Sequence, residues 1–223
     1  MYALKLFLLV AASSTSTCRA HWRLTVPMSR KGPGYENDPL GSPAVCRNAQ
    51  LNPNIPRPSY AAGSTMDIKF EGGGHVGDCS VYLSYDVAVP TSSAQFVKIA
   101  NLPDCRSQIN TLVPILLPSQ LPAGDAILRW DQYALHQGSF IEWYVQCADI
   151  TITSSSSRDW ASFNKFSIAS VYPGNPRQNY RRNTAVPGDD DFYMTGPACV
   201  DDSINQCAWT AKGTQGYTGY GGE

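Results

Sequence analysis

The sequence predicts an all-β fold: an immunoglobulin-like or fibronectin-like antiparallel β-sandwich with long loops, stapled by disulfides. Three observations carry this. Short runs alternate apolar and polar residues, Gly- and Pro-rich turns separate them, and strong helical periodicity appears nowhere. Residues 28 to 64 are rich in Pro, Gly, Asn and Ser, which predicts long loops stapled at Cys46. "STMDIKFE" then sets Met66, Ile68 and Phe70 on one side and Asp67, Lys69 and Glu71 on the other, a half-buried strand. "GGGHVGDC" is a Gly-rich turn, and "SVYLSYD" alternates again through Val81, Leu83 and Tyr85. "QFVKIANL" is a third strand. "LPSQLPAGDAILRWDQYAL" predicts a turn from Pro122 to Gly124 and a strand after it. "FIEWYVQCADITIT" is the longest strand-like run, rich in β-branched and aromatic residues. Beyond it, "SSSSRD" marks a break, "KFSIASVYPG" a further strand and turn, and "GDDD" a solvated loop. "GTQGYTGYGGE" predicts a loosely packed, flexible end.

The first 20 residues have the layout of a secretory signal. Lys5 supplies the positive charge, Leu6 to Ala12 form a short apolar run, and Cys18 and Ala20 are the small residues before a cut. The run is too short to span a bilayer, and no second long apolar segment follows. The expected organisation is a signal over 1–20, a sandwich core over 21–154, and a continuation or extension of the same domain over 155–223. The mature chain is expected to be secreted and to begin at His21.

Losing Lys5 and Arg19 from 17 basic residues leaves 15 against 18 acidic ones, a formal charge of −3. That balance argues against nucleic acid or an anionic membrane as partner. A monomer is expected. Of seven cysteines, Cys18 leaves with the signal. Cys46, Cys79, Cys105, Cys147, Cys199 and Cys207 remain, an even number suited to three disulfides in an oxidising compartment. Six cysteines allow fifteen pairings, and sequence alone does not choose among them. No CxxC pair points to zinc.

The chain has three histidines: His21, His75 and His136. A histidine at a free N-terminus offers two nitrogens, the α-amine and ring Nδ1, which together close a chelate ring. The amine titrates near about 7.7–8.0, so a metal displaces its proton near neutral pH. A third nitrogen from another histidine completes a set that suits Cu(II). His75, in a Gly-rich turn beside a strand, is a good donor.

His21 behind a signal, "GGGHVGDC", Leu121-Pro122-Ala123-Gly124, Ala134-Leu135-His136 and Glu142-Trp143-Tyr144-Val145-Gln146-Cys147 together resemble the lytic polysaccharide monooxygenases. The likeness is to the fungal auxiliary activity family 9 and its relatives, and covers roughly residues 21 to 154. It implies one copper ion held by His21, through amine and ring, and by His75. Tyr144 falls on the family's axial tyrosine and His136 on its second histidine. Glu142 stands where the family usually has Gln. A carboxylate accepts hydrogen bonds but donates only when protonated, so the role of this position is in doubt. The connection from His136 to Glu142 is also short. The resemblance further implies the pairings Cys46–Cys147 and Cys79–Cys105, leaving Cys199 and Cys207 to close a local loop.

The implied activity is oxidative cleavage of glycosidic chains with O2 or H2O2 and an external electron donor. His136, Glu142 and Tyr144 would be the groups around the reacting centre. Cellulose is the first substrate expected, with chitin, hemicellulose and pectin open. Trp22, Tyr35 and Tyr60 are candidate aromatics for stacking on sugar rings. Ordinary glycoside hydrolysis is disfavoured, because alternation does not bring Asp131, Glu142 and Asp149 to one cleft. No GxSxG elbow supports a serine nucleophile. The competing expectation is a secreted copper-binding protein with the same histidine pair and no polysaccharide-cleaving activity. "HWRLTVPMSR" and "CADITIT" look somewhat like that copper-uptake group. Its members usually end in a membrane-anchoring apolar tail, whereas this chain ends in "GYTGYGGE" and retains Tyr144.

Overall fold

The computed structural model describes residues 21–34, 38–39, 45–47, 50–73, 75, 77–86, 93–102, 105–134, 142–168, 180–182, 192–194 and 200. The strands are β1 (Trp22–Val26), β2 (Ser59–Ala61), β3 (Thr65–Gly72), β4 (Gly77–Ser84), β5 (Gln95–Leu102), β6 (Val113–Leu116), β7 (Gly124–Ala134), β8 (Glu142–Thr153), β9 (Phe166–Ser167), β10 (Tyr180–Arg182) and β11 (Phe192–Met194). A three-stranded sheet runs β1-β3-β6, a six-stranded sheet runs β2-β8-β7-β4-β5-β9, and a two-stranded sheet pairs β10 with β11. Among the described residues no helix is long and apolar enough to cross a membrane.

The two sheets pack face to face, as the sequence predicts. Trp22, Leu24, Met66, Ile68, Phe70 and Ile115 from the small sheet meet Val81, Leu83, Leu128, Trp130, Ile150 and Ile152 from the large one. Each such side chain, fully buried, contributes about 1.5–3 kcal/mol. The alternation in β3 is reproduced, with Met66, Ile68 and Phe70 inside. Five short strands, β1, β2, β6, β10 and β11, were not predicted. The first follows directly on the predicted cut, and β2 lies inside the stretch expected to be loop. β2 also departs from the antiparallel expectation: it pairs parallel to the end of β8, with Tyr60 beside Ile152. β6 tolerates Pro114 because it is an edge strand.

The second face of the large sheet is buried too. A β-bulge opposite Val81 and Tyr82 sends both Ile99 and Ala100 inward and leaves Phe96, Lys98 and Asn101 on the outer face. There Arg129 grips Asp131 with two hydrogen bonds, Nε to Oδ1 at 2.6 Å and Nη2 to Oδ2 at 2.9 Å. Trp143 Nε1 donates to the same carboxylate at 2.9 Å, and Tyr133 hydrogen-bonds to Tyr82 at 2.9 Å. The chain after β1 crosses this face: Arg30 is buried and pairs with Asp149 at 2.5 Å. Disulfide Cys46–Cys147 ties the same stretch to β8, while Cys79–Cys105 closes inside the sandwich. Cys199 and Cys207 lie outside the described residues.

Lys98 on this face is 2 % exposed. Burial pulls its ammonium down to about 7, with the nearby Asp131 charge opposing. In the unfolded chain the same group titrates near about 10.4. Between those values the unfolded state binds more protons, so this lysine makes stability rise with pH from about 7 to about 10. Below that window its cost is constant. Lys98→Met is therefore expected to stabilise the protein at pH 7 by about 1–3 kcal/mol. The gain should shrink as pH approaches 10 in paired thermal melts.

Candidate metal centre

His21 immediately precedes β1, and the next residue anchors it. Trp22 is fully buried, with its ring 5.5 Å from Phe70 and 6.0 Å from Trp130. Gln146 on β8 straps the same strand from the other sheet. Its Oε1 accepts from Leu24 N at 2.5 Å, and its Nε2 donates to Trp22 O at 3.3 Å. Strand β8 carries Tyr144 on the same face, two residues away. The strap thus sets the first histidine against the tyrosine.

His75 arrives from the turn between β3 and β4. Gly73 there has φ +67°, and a Cβ on it would stand 2.2 Å from Trp22 Nε1. A Cβ on Gly77 would stand 1.9 Å from Tyr133 O on β7. Only glycine permits these two approaches, the first of which presses the turn against β1 and the second against β7. The His21 and Tyr144 ring centroids lie 5.6 Å apart, and those of His75 and Tyr144 lie 6.1 Å apart. Two histidines 54 positions apart in sequence thus flank one buried phenol.

Tyr144 donates to Glu142 Oε2 at 2.7 Å, and His75 Nε2 is 3.9 Å from that same oxygen. The Tyr144 phenol is held well above its ordinary pKa. Burial is the main cause, followed by the bond to Glu142 and then the charges of Glu142 and Asp38. The group is a neutral phenol whose proton points at a carboxylate. The Asp38 carboxylate Oδ1 lies 3.5 Å from His21 Nδ1, a neighbour the sequence reading did not single out.

The model of Auxiliary Activity family 9, formerly GH61, matches residues 9–181. The chain belongs to this family. The solved structures agree in fold. HiLPMO9B is 20% identical with a TM-score of 0.53, over 69% of this chain and 85% of that one. A cellulose-active polysaccharide monooxygenase from M. thermophila is 18% identical with a TM-score of 0.53, over 68% and 84%. CvAA9A is 16% identical with a TM-score of 0.50, over 69% and 85%. No curated protein matches. The sandwich is thus that of the family 9 lytic polysaccharide monooxygenases.

Within this family 9 chain the remaining sequence expectations divide. His136 and Tyr35 lie outside the described residues. Trp22 is not a sugar platform: it is fully buried, because it is the anchor that holds His21. Tyr60 is not at this end of the molecule. It sits beside Ile152, eight residues along β8 from Tyr144, or about 26 Å. Asp131 and Asp149 are committed to Arg129 and Arg30 on the outer face, and Glu142 is on the other face, so these three carboxylates do not share one cleft for hydrolysis. Among the described residues no group of three or more His, Cys, Asp and Glu side chains forms a metal cage. A centre here would need a donor that is not a side chain, and the α-amine of His21, once free, would be that donor. Two imidazoles and an amine fit Cu(II) by their chemistry. Gln146 was legible by its two-residue offset from Tyr144. Asp38 had no signal, since it lies in a stretch without periodicity.

Proposed function

We propose that this chain is a secreted, monomeric, copper-dependent lytic polysaccharide monooxygenase acting on neutral glycosidic chains, cellulose first. Residues 1–20 act as the signal, and their removal frees the amine of His21. The observation that carries the reading is the convergence of His21 and His75 on Tyr144. The amine and Nδ1 of His21 and the ring of His75 would hold one copper ion. Bound there, copper supplies the redox chemistry: with two electrons from an external reductant and two protons, one atom of O2 enters a sugar C–H bond and the other leaves as water, H2O2 being the alternative oxidant.

The chain's own residues set the surroundings. Tyr144 fills the space between the two rings as a neutral phenol and keeps water from it. Glu142 accepts the phenol's hydrogen bond and fixes its orientation. His136 is assigned the second hydrogen-bonding position by family likeness. The neighbour from M. thermophila is described as cellulose-active, which makes cellulose the first polymer to test.

Protein starting at His21, loaded with copper and given a reductant, is expected to release oxidised oligosaccharides from cellulose, read by mass spectrometry. His75→Ala should abolish them. Tight copper binding without oxidised products from cellulose, chitin, hemicellulose or pectin would overturn the monooxygenase reading in favour of a copper-binding protein.

A further inference from the structure

Among the described residues, five buried side-chain polar atoms meet no hydrogen-bond partner in the protein, and four of them belong to one corner of the sandwich. Two are Oε1 and Nε2 of Gln132, and the others are the indole Nε1 atoms of Trp22 and Trp130. Gln132 is fully buried on the inner face of β7, between Cys79 on β4 and Tyr144 on β8. Neither neighbour has a group to offer it: the Cys79 sulfur is bonded to Cys105, and the Tyr144 hydroxyl donates to Glu142. Trp130 lies two residues back on the same face, about 7 Å along the strand. Its ring is 6.0 Å from that of Trp22, whose Nε1 lies against Gly73 in the turn that brings His75. The next row toward the end of β7 is Gly77, Ala134 and Glu142. Its first two members carry no side chain and a methyl group, which leaves the sheet surface low beside Gln132.

A buried amide with neither its donor nor its acceptor used destabilises a fold, and so does a buried indole N–H. The Gln132 amide both accepts and donates, whereas the indoles only donate. An anion would meet the amide oxygen, a cation would meet the N–H groups, and an apolar ligand would leave all four atoms unpaired. Water matches the set. It accepts from an N–H and donates to Oε1, and a buried water makes about three such bonds. We propose that Gln132 holds water inside the sandwich, behind Tyr144, with the nearby indole N–H groups as further donors. This water links the end of β7 to Trp22, the residue that anchors His21. The site stands apart from the copper reading and does not require it.

The test compares protein starting at His21 with its Gln132→Met variant, which keeps the length of the side chain and removes the amide. No copper is added, so the result is independent of the metal. Oxygen-17 relaxation of the solvent counts long-lived internal waters, and the count is expected to fall by at least one in Gln132→Met. The melting temperature of the variant is expected to stay level or fall. A dry site behaves in the opposite way, because a thioether relieves the cost of an unpaired amide. An unchanged water count, or a variant that melts several degrees higher than the wild type, would overturn the proposal. A crystal structure of the wild type gives a second measurement that holds even if Gln132→Met does not fold. It should show an ordered water within about 3.2 Å of Gln132 Oε1 or Nε2. An amide bonded to the protein instead, or one with no ordered water on either atom, would overturn the assignment.

Discussion

Protein that keeps even one residue ahead of His21 is expected to bind Cu(II) at least about a hundredfold more weakly than protein that starts there. The physical reason is a change of functional group. An α-amine has a lone pair that a metal recruits near neutral pH, whereas the nitrogen of a peptide bond gives its lone pair to the carbonyl. The chelate ring then loses one of its two anchors, and His21 is left with a single imidazole. The histidine pair itself would remain, because Trp22 and Gln146 hold β1 without help from the amine. Competition titration of both forms against a chelator measures the difference. Equal affinities would mean that the amine is no ligand and that the predicted cut serves secretion alone.

Asp131→Ala is expected to cost about 3–5 kcal/mol of stability, far more than the loss of a surface acid. Its carboxylate is fully buried and receives Arg129 Nε and Nη2, Trp143 Nε1 and a long bond from Tyr133. Burial pushes this carboxyl's pKa up, while the Arg129 charge and then the hydrogen bonds from Arg129, Trp143 and Tyr133 pull it back. Removing it strands a buried guanidinium and the indole N–H. For a chain of this size the melting temperature should fall by about 10 °C. The double variant Arg129→Met with Asp131→Leu should lose less than the single one, since no uncompensated charge stays inside. Thermal or urea unfolding of the three proteins tests this. A single variant that melts within a degree or two of the wild type would mean that water reaches this face.

The effect would reach the candidate metal centre as well. Trp143, which donates to Asp131, lies between Glu142 and Tyr144 on β8. The outer network thus holds from behind the strand that presents the phenol to the two histidines. Alternation in β4, β7 and β8 correctly sorts which residues share a face. It cannot say that both faces are covered. Ser80, Tyr82, Arg129 and Asp131 would read as the wet side of half-buried strands, yet every one is buried. They are dry because the chain from Ser29 to Cys46 contributes Arg30, Val45 and the Cys46 disulfide across that face.

The sequence by itself determined the sandwich, its longer strands, the signal-like start and the three histidines worth weighing. Periodicity and residue chemistry are local properties, so they can be read from neighbours in the chain. Tertiary structure alone decided that Trp22 is an anchor rather than a sugar platform, that Tyr60 belongs to the far end of β8, and that Asp38 stands against His21. Each of those depends on which distant segment packs against the residue. No local pattern encodes that, because a buried indole and an exposed one obey the same rules along the chain until a second sheet closes over one of them.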